Sequence, residues 1–279
     1  MDQTSLETTL AELPVPSVRY FPTLDSTNDE AWRWVEAGAP DGALVIAEEQ
    51  TAGRGRFHRH WVTVARSSLA FSLVLLLPPI DPHFYSRLTG VGALAVCQAF
   101  RTLYSLPALV KWPNDILVNE RKAGGVLVEA RWSGEDLVAA VIGIGINIAP
   151  ESVSPDVLPP HSLSFSATCI EGALGHPVDR MELLHTILKE FFGWLPRLTS
   201  SEFMHAWEDL LAYRGQWVEL SAGEVGASQP TASRSQVITG KLIGLDEDGS
   251  LQLQVYAGEL LTVQVGDVRL RPVLSQPPD

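Results

Sequence analysis

The sequence predicts an α+β fold, in which a mixed, mainly antiparallel sheet with helices packed on one side is followed by a small β-barrel. Three observations carry this. Between Leu109 and Ile148, short β-branched runs follow one another at hairpin spacing, as in a meander. Amphipathic helical stretches flank the meander on both sides. After Arg214 the texture changes to alternating short strands and turns that continue to Arg271, the pattern of a small barrel. The chain therefore divides into residues 1–213 and 214–279.

Element by element, residues 1–16 are a short segment that ends in the Pro-containing "LPVPS". "VRYF" (18–21) reads as a strand. "STNDEAWRWVEAG" (26–38) reads as a helix, with Thr27 and Glu30 spaced as a capping box and Gly38 as its stop. "ALVIAEEQ" (43–50) is a strand that runs into a basic loop, and "SSLAFSLVLLL" (67–77) is a buried strand. "FYSRLTGVGALAVCQAFRTLY" (84–104) has helical period, and its small residues Gly90, Gly92, Ala93 and Ala95 predict close packing. The meander comprises 109–112, 115–119, 125–132 and 137–148. Helices are predicted over 181–198 and 201–214, and residues 221–236 form a Ser/Gly/Ala-rich loop between barrel strands.

Bulk properties exclude several classes. A formal charge of −13, with 46% hydrophobic and 19% charged residues, describes an ordinary globular protein and not a general binder of nucleic acid or membrane surfaces. The N-terminal "MDQTSLETTLAEL" is too polar for a secretory leader, and residues 1–17 are too few for a helix-turn-helix, so DNA is not an expected partner. "LAFSLVLLLPPI" is too short to span a bilayer, so no membrane association is expected. The two cysteines, Cys97 and Cys169, make no disulfide framework, and a reducing cytoplasm is the expected compartment.

Against that acidic background, "TAGRGRFHRHW" (51–61) packs Arg54, Arg56 and Arg59 between glycines. Glycines let the backbone approach a ligand, and guanidinium groups fork onto phosphate or carboxylate. The loop has neither the third glycine of a dinucleotide fingerprint nor the Lys-Ser/Thr of a P-loop. In "KWPNDILVNERKAGG" (111–125), the acid Asp115 and the base Lys122 flank one hairpin, although turn-forming Asn and Asp with a surface lysine would read the same way. Ser26, Thr27 and Asn28 put small polar groups at a helix N-terminus. In "GIGIN" (143–147) the glycines clear one strand face, for a ligand or for tight packing.

Taken together, "DSTN", "EEQTAGRGRFHRHW", "VKWPNDILVNERKAGGVLVE", "VIGIGINI" and "GDVRLR" occur in the order that resembles a biotin–protein ligase, over residues 18–271. The pairing of "KWPND" with "KAGG" is specific to that family. The family loop usually reads "GRGRRGR-x-W"; here Phe57 and His58 replace an Arg and a Gly, which bears on how the loop closes. Lipoate- and octanoate-transferring relatives carry an "RRxxGGGxVxHD"-like run that is absent here.

The resemblance implies a class II synthetase-like biotinyl/lipoyl ligase domain with a C-terminal SH3-like barrel. It implies ATP-dependent attachment of biotin to a lysine of the biotin carboxyl carrier protein of acetyl-CoA carboxylase, through biotinyl-5'-AMP. By similarity, biotin is held by Ser26, Thr27, Asn28, Gln50, Arg54, Gly55, Arg56, Lys122 and Gly124. ATP, with Mg²⁺, is held by Arg54, Arg56, Lys111, Asn114, Lys122 and Asn147. Lys122, Asp115 and Arg56 carry the chemistry, with Lys122, Arg54 and Arg56 supplying positive charge, and Trp61 packs when the loop closes. The Mg²⁺ ligands and the oligomeric state, a homodimer among the options, are left open.

Overall fold

The computed structural model describes residues 1–76, 81–154, 166–222, 237–264 and 268–273. Its first part is a seven-stranded sheet in the order β1-β2-β3-β7-β6-β5-β4. The strands are β1 (Val18–Leu24), β2 (Leu44–Gln50), β3 (Ser68–Leu75), β4 (Ala108–Lys111), β5 (Asp115–Val118), β6 (Arg121–Ser133) and β7 (Asp136–Asn147). Only β1 and β2 run parallel, joined by α2 (Thr27–Glu36); every other pairing is antiparallel, and the β4-β5-β6-β7 meander is as predicted.

Helices cover both faces, which corrects the one-sided expectation. Leu69, Phe71 and Leu73 on β3 and Ile142, Ile144 and Ile146 on β7 form one core with α3 (Arg87–Tyr104) and α5 (Arg180–Trp194). On the opposite face, Val45, Val74 and Val141 pack on Ala31 and Trp34 of α2. A parallel β-α-β crossover has to lay its helix on a sheet face, and here that face is the one the large helices leave open. The fully buried run of β3 follows from this double coverage.

Helix ends differ from the sequence expectation in several places. The N-terminal residues, to which the sequence reading assigned no element, include α1 (Gln3–Thr9), capped by Asp2, whose carboxylate accepts from Ser5 N–H at 2.9 Å. Leu6 and, at its C-cap, Leu10 are fully buried while most of the helix is exposed, and two apolar residues four apart are too few to show a period. The N-cap of α2 is Ser26, and Thr27 lies inside the helix, so the Thr27–Glu30 box does not form. Gln50 Oε1 instead accepts the Thr27 N–H at 2.8 Å, while Glu30 binds Arg19 and Arg33. The stop at Gly38 holds, with φ +86°. In α3, a Cβ at Gly90 would approach the Trp207 ring to 2.6 Å and one at Gly92 would meet Val126 at 3.0 Å, so the small residues do mark close packing.

After the short α4 (Ile170–Leu174) and α5, helix α6 (Ser201–Glu208) stops earlier than predicted. The chain there turns to bond β4, with Val110 N–H donating to Leu210 O at 2.7 Å and Ala212 N–H to Val110 O at 2.9 Å. The second part is a five-stranded antiparallel sheet in the order β11-β10-β9-β8-β12, whose strands are β8 (Trp217–Ala222), β9 (Val237–Leu245), β10 (Leu251–Gln254), β11 (Leu260–Val263) and β12 (Val268–Pro272). It fits the SH3-like barrel expected there. Most of the predicted 221–236 loop, and Gly266 and Asp267 of "GDVRLR", lie outside the described residues. Cys97 and Cys169 are free and buried, and burial pushes the Cys97 thiol up to about 12. Among the described residues no helix is long and apolar enough to cross a membrane.

Candidate active site

One pocket opens on the α2 face of the sheet. It gathers every residue singled out from the sequence except Gly124: the α2 N-terminus, Gln50, the basic loop, the β4–β5 turn, Lys122 and Asn147. A register shift in the β5–β6 pairing, between Ile116 and Leu117, explains the exception, since it lets Lys122 and Gly125 both face the pocket. Gly124 shares the core face with Val126, and a Cβ there would meet the Gly145 carbonyl at 2.9 Å, whereas Gly125 lines the pocket.

One end of the pocket is a buried polar cluster. Ser26, Thr27 and Asn28 are at most 4% exposed. Gln50 Oε1 accepts from Thr27 N–H and its amide donates to Thr63 Oγ1 at 2.9 Å. The Ser72 hydroxyl donates to Asn28 Oδ1 at 2.6 Å and lies 2.8 Å from Thr27 Oγ1. Asn28 Nδ2 donates to Glu129 Oε2 at 2.9 Å. Gly143 is what admits Asn28, because a Cβ there would coincide with the Asn28 carboxamide. Gly145 does the same for the Trp61 indole, which covers it. The glycines of "GIGIN" thus make room for the protein's own side chains.

The basic loop is a small hairpin. Gly55 N–H donates to Arg59 O at 2.7 Å and Trp61 N–H to Gly53 O at 2.8 Å, and isolated bridges pair Arg54 with His60 and Gln50 with Thr63. Phe57 at its tip takes a left-handed φ of +56° and is exposed, with the Arg56 guanidinium 4.8 Å from its ring centroid. Arg54 is held by two carboxylates, Asp29 of α2 at 2.6 Å and Glu129 of β6. Its charge is largely balanced there, so it anchors the foot of the hairpin. Arg56 reaches across the pocket to Asn114 Oδ1 at 3.3 Å.

The other end carries the acid and the bases. Lys122 Nζ lies 2.5 Å from Asp115 Oδ1, and Lys111 Nζ lies 3.9 Å from Asp115 Oδ2. Asp115 follows a turn through a cis Trp112–Pro113 peptide, and Asn114 ties that turn to β6 by two bonds to Val126, each 2.9 Å. Lys122 is also 5.7 Å from the Trp61 ring centroid. Asn147 donates to Thr168 O at 3.1 Å, and Lys122 N–H to Ser166 O at 3.0 Å, so this second strip of chain forms part of the wall. Sequence reading missed Asp29, Ser72 and Glu129, which hold these groups from elements far away in the chain. Only Ser72 carried a signal, as a polar residue between Ala70 and Val74 on one face of a buried strand; Asp29 and Glu129 stand among other charged residues and carried none.

A model of the Biotin/lipoate A/B protein ligase family matches residues 20–147. The chain is 34% identical over 242 residues to the biotin–[acetyl-CoA-carboxylase] ligase of Paracoccus denitrificans, covering 84% of this chain and 92% of that protein. It is 30% identical over 239 residues to the bifunctional ligase/repressor BirA of Bacillus subtilis, covering 86% and 70%. The structure of biotin protein ligase from Aquifex aeolicus in complex with biotin and ATP superposes with a TM-score of 0.73 at 28% identity, over 92% of this chain and all of that one.

Proposed function

The chain belongs to the biotin/lipoate A/B protein ligase family, and from that premise we propose how its residues divide the work of a biotin–[acetyl-CoA-carboxylase] ligase. The protein attaches biotin at the expense of ATP, through biotinyl-5'-AMP. One observation carries the assignment of roles: a buried polar cluster and a Lys–Asp–Lys cluster face each other in one pocket beneath an arginine hairpin.

In the first half-reaction the biotin carboxylate attacks the α-phosphorus of ATP and pyrophosphate leaves. Two anions must approach, so fixed positive charge has to offset their repulsion. Lys122 and Lys111, flanking Asp115, supply it from the floor, and Arg56 supplies it from the hairpin. The polar cluster of Thr27, Asn28 and Gln50 holds the ureido ring of biotin, since its buried carboxamides are fixed in orientation before ligand arrives. Mg²⁺ accompanies the nucleotide and neutralises phosphate charge. Asp115, the acid that lines the pocket, would be the residue to hold such an ion.

In the second half-reaction a lysine amine of the carrier attacks the acyl carbon and AMP leaves. An amine with a pKa of about 10.4 is mostly protonated at neutral pH. Asp115 orients it and helps to accept its proton. The hairpin, closing over the mixed anhydride, excludes water. The carrier is the biotin carboxyl carrier protein of acetyl-CoA carboxylase, and the reaction belongs in the cytoplasm. Residues 1–213 hold both half-reactions, and residues 214–279 are an appended barrel.

ATP–pyrophosphate exchange with and without biotin tests the reading, with lipoate as a parallel substrate. Biotin-dependent exchange is expected. Exchange with lipoate alone, or with neither acid, would overturn the reading.

A further inference from the structure

The two sheets meet at the turn between β9 and β10. Asp246–Ser250 is bonded to itself: Asp246 N–H donates to Ser250 O at 2.8 Å, Gly249 N–H to Asp246 O at 2.9 Å, and Ser250 N–H to Asp248 Oδ1 at 2.7 Å. Its three successive carbonyls each accept from the body that carries the pocket. Arg87 donates to Glu247 O through Nε, at 2.7 Å, and through Nη2. The Ser86 hydroxyl donates to Asp248 O. Trp112 Nε1 donates to Gly249 O at 3.0 Å. Arg87 and Trp112 are 4% and 2% exposed, and the Trp112–Gly249 bond is buried, so the Gly249 carbonyl has no water to turn to. Gly249 has φ +85°, and a Cβ there would lie 2.8 Å from the Trp207 ring, so both the backbone and the space select glycine.

Trp112 connects this seam to the pocket. It lines the pocket itself and immediately precedes the Pro113–Asn114–Asp115 turn. That turn presents Asn114 toward Arg56 and Asp115 between the two lysines. Its other anchors are the two Asn114 bonds to β6. The polar cluster at the α2 end makes none of its bonds to the β4–β5 turn or to the second sheet.

We infer that the β9–β10 turn is a positioning element for the nucleotide side of the pocket. By holding the Trp112 indole it fixes the Pro113–Asp115 turn, and it leaves the biotin side untouched. The inference rests on the ligase reading given above. The second sheet then contributes to ATP use through a backbone carbonyl, although among the described residues none of its side chains lines the pocket.

Two variants test it. Trp112→Phe keeps a ring in the wall and removes the donor. Ser86→Ala removes a donor to the same turn at a residue that does not line the pocket. In biotin-dependent ATP–pyrophosphate exchange, each is expected to raise the KM for ATP roughly five- to twentyfold, the loss of one buried hydrogen bond, with kcat changed less. The Kd for biotin, from calorimetry, stays within twofold. The double variant raises the KM by less than the product of the singles, because both act through one turn. A wild-type KM for ATP in either variant, or a biotin Kd that rises in step with it, overturns the inference. If a variant melts below the assay temperature, the wild-type protein decides: adding a non-hydrolysable ATP analogue to the biotin-bound protein slows amide exchange at Gly249 and Ser250 if the coupling exists and leaves it unchanged if not. Absence of exchange in the wild-type protein would instead overturn the ligase reading itself.

Discussion

A single methyl group at Gly143 should disable biotin binding. Gly143 sits on β7 opposite Ser72 of β3 and Leu127 of β6, and an added Cβ would fall on the Asn28 carboxamide. Asn28 cannot yield cheaply. It is 3% exposed, its oxygen accepts from Ser72 at 2.6 Å and its nitrogen donates to Glu129 at 2.9 Å. Moving it breaks both bonds, at about 1–1.5 kcal/mol each net. If that total of about 2–3 kcal/mol falls on the ligand, the Kd for biotin rises roughly 30- to 150-fold in Gly143→Ala. Titration calorimetry with biotin, beside a thermal melt, measures it. A biotin Kd within threefold of wild type at an unchanged melting temperature would refute the placing of biotin's ring against Asn28.

Three further outcomes are expected. Lys122→Ala abolishes biotin-dependent pyrophosphate exchange, because it removes the cation that both anions share; near-normal exchange would sink that role. Arg56→Gly releases biotinyl-5'-AMP into solution, so bystander lysines are labelled, which streptavidin blotting of a mixture with an unrelated protein detects; strict carrier specificity would count against the hairpin as a lid. The third outcome concerns Glu48, 8% exposed, where burial pushes the carboxyl up. The Arg180 fork at 2.8 and 3.2 Å, the Met1 ammonium at 3.5 Å and the Arg66 N–H at 3.2 Å together outweigh burial and hold it below the usual value. A depressed carboxyl contributes stability above its unfolded pKa, which is lost as pH falls through the folded one. Glu48→Gln therefore costs about 3 kcal/mol at pH 7, since it leaves Arg180 uncompensated, and the gap to wild type narrows below about pH 4. Urea denaturation at both pH values measures this, and an equal gap at both would contradict it.

What the sequence showed and what it hid follow from the range of the interactions. The meander was legible because β-branched runs and hairpin spacing are local, and "KWPND" with "KAGG" was legible because a turn and its partner strand lie close in the chain. Thr27 was misassigned as a cap because Gln50, 23 residues on, claims the N–H that a capping box would have used. Gly124 and Gly125 look alike in sequence, and counting by twos from Lys122 would select Gly124; the register shift in the β5–β6 pairing turns Gly125 to the pocket instead. The end of α6 was misread because its apolar period continues through Leu210 and Leu211, which β4 takes instead. Arg54 reads as a ligand-binding cation until Asp29 and Glu129, from a helix and a distant strand, are seen on either side of it.

The bonded pairs across the arginine hairpin bear on the energetics of holding a ligand. Ordering a limp segment costs roughly 1–2 kcal/mol per residue. Over residues 51–61 that exceeds the roughly 8 kcal/mol released by a ligand of micromolar affinity. Here the Gly53–Trp61 and Gly55–Arg59 bonds close the hairpin within itself, and Arg54 pins its foot. With the hairpin as the proposed lid, biotin would need only to swing a folded flap on its base, leaving most of its binding free energy for affinity. The lifetime of a trapped adenylate would then depend on the joints near Gln50 and Thr63 more than on the residues at the tip. A hairpin whose tip reads Phe-His where relatives read Arg-Gly can vary there while its hinge keeps the same mechanics.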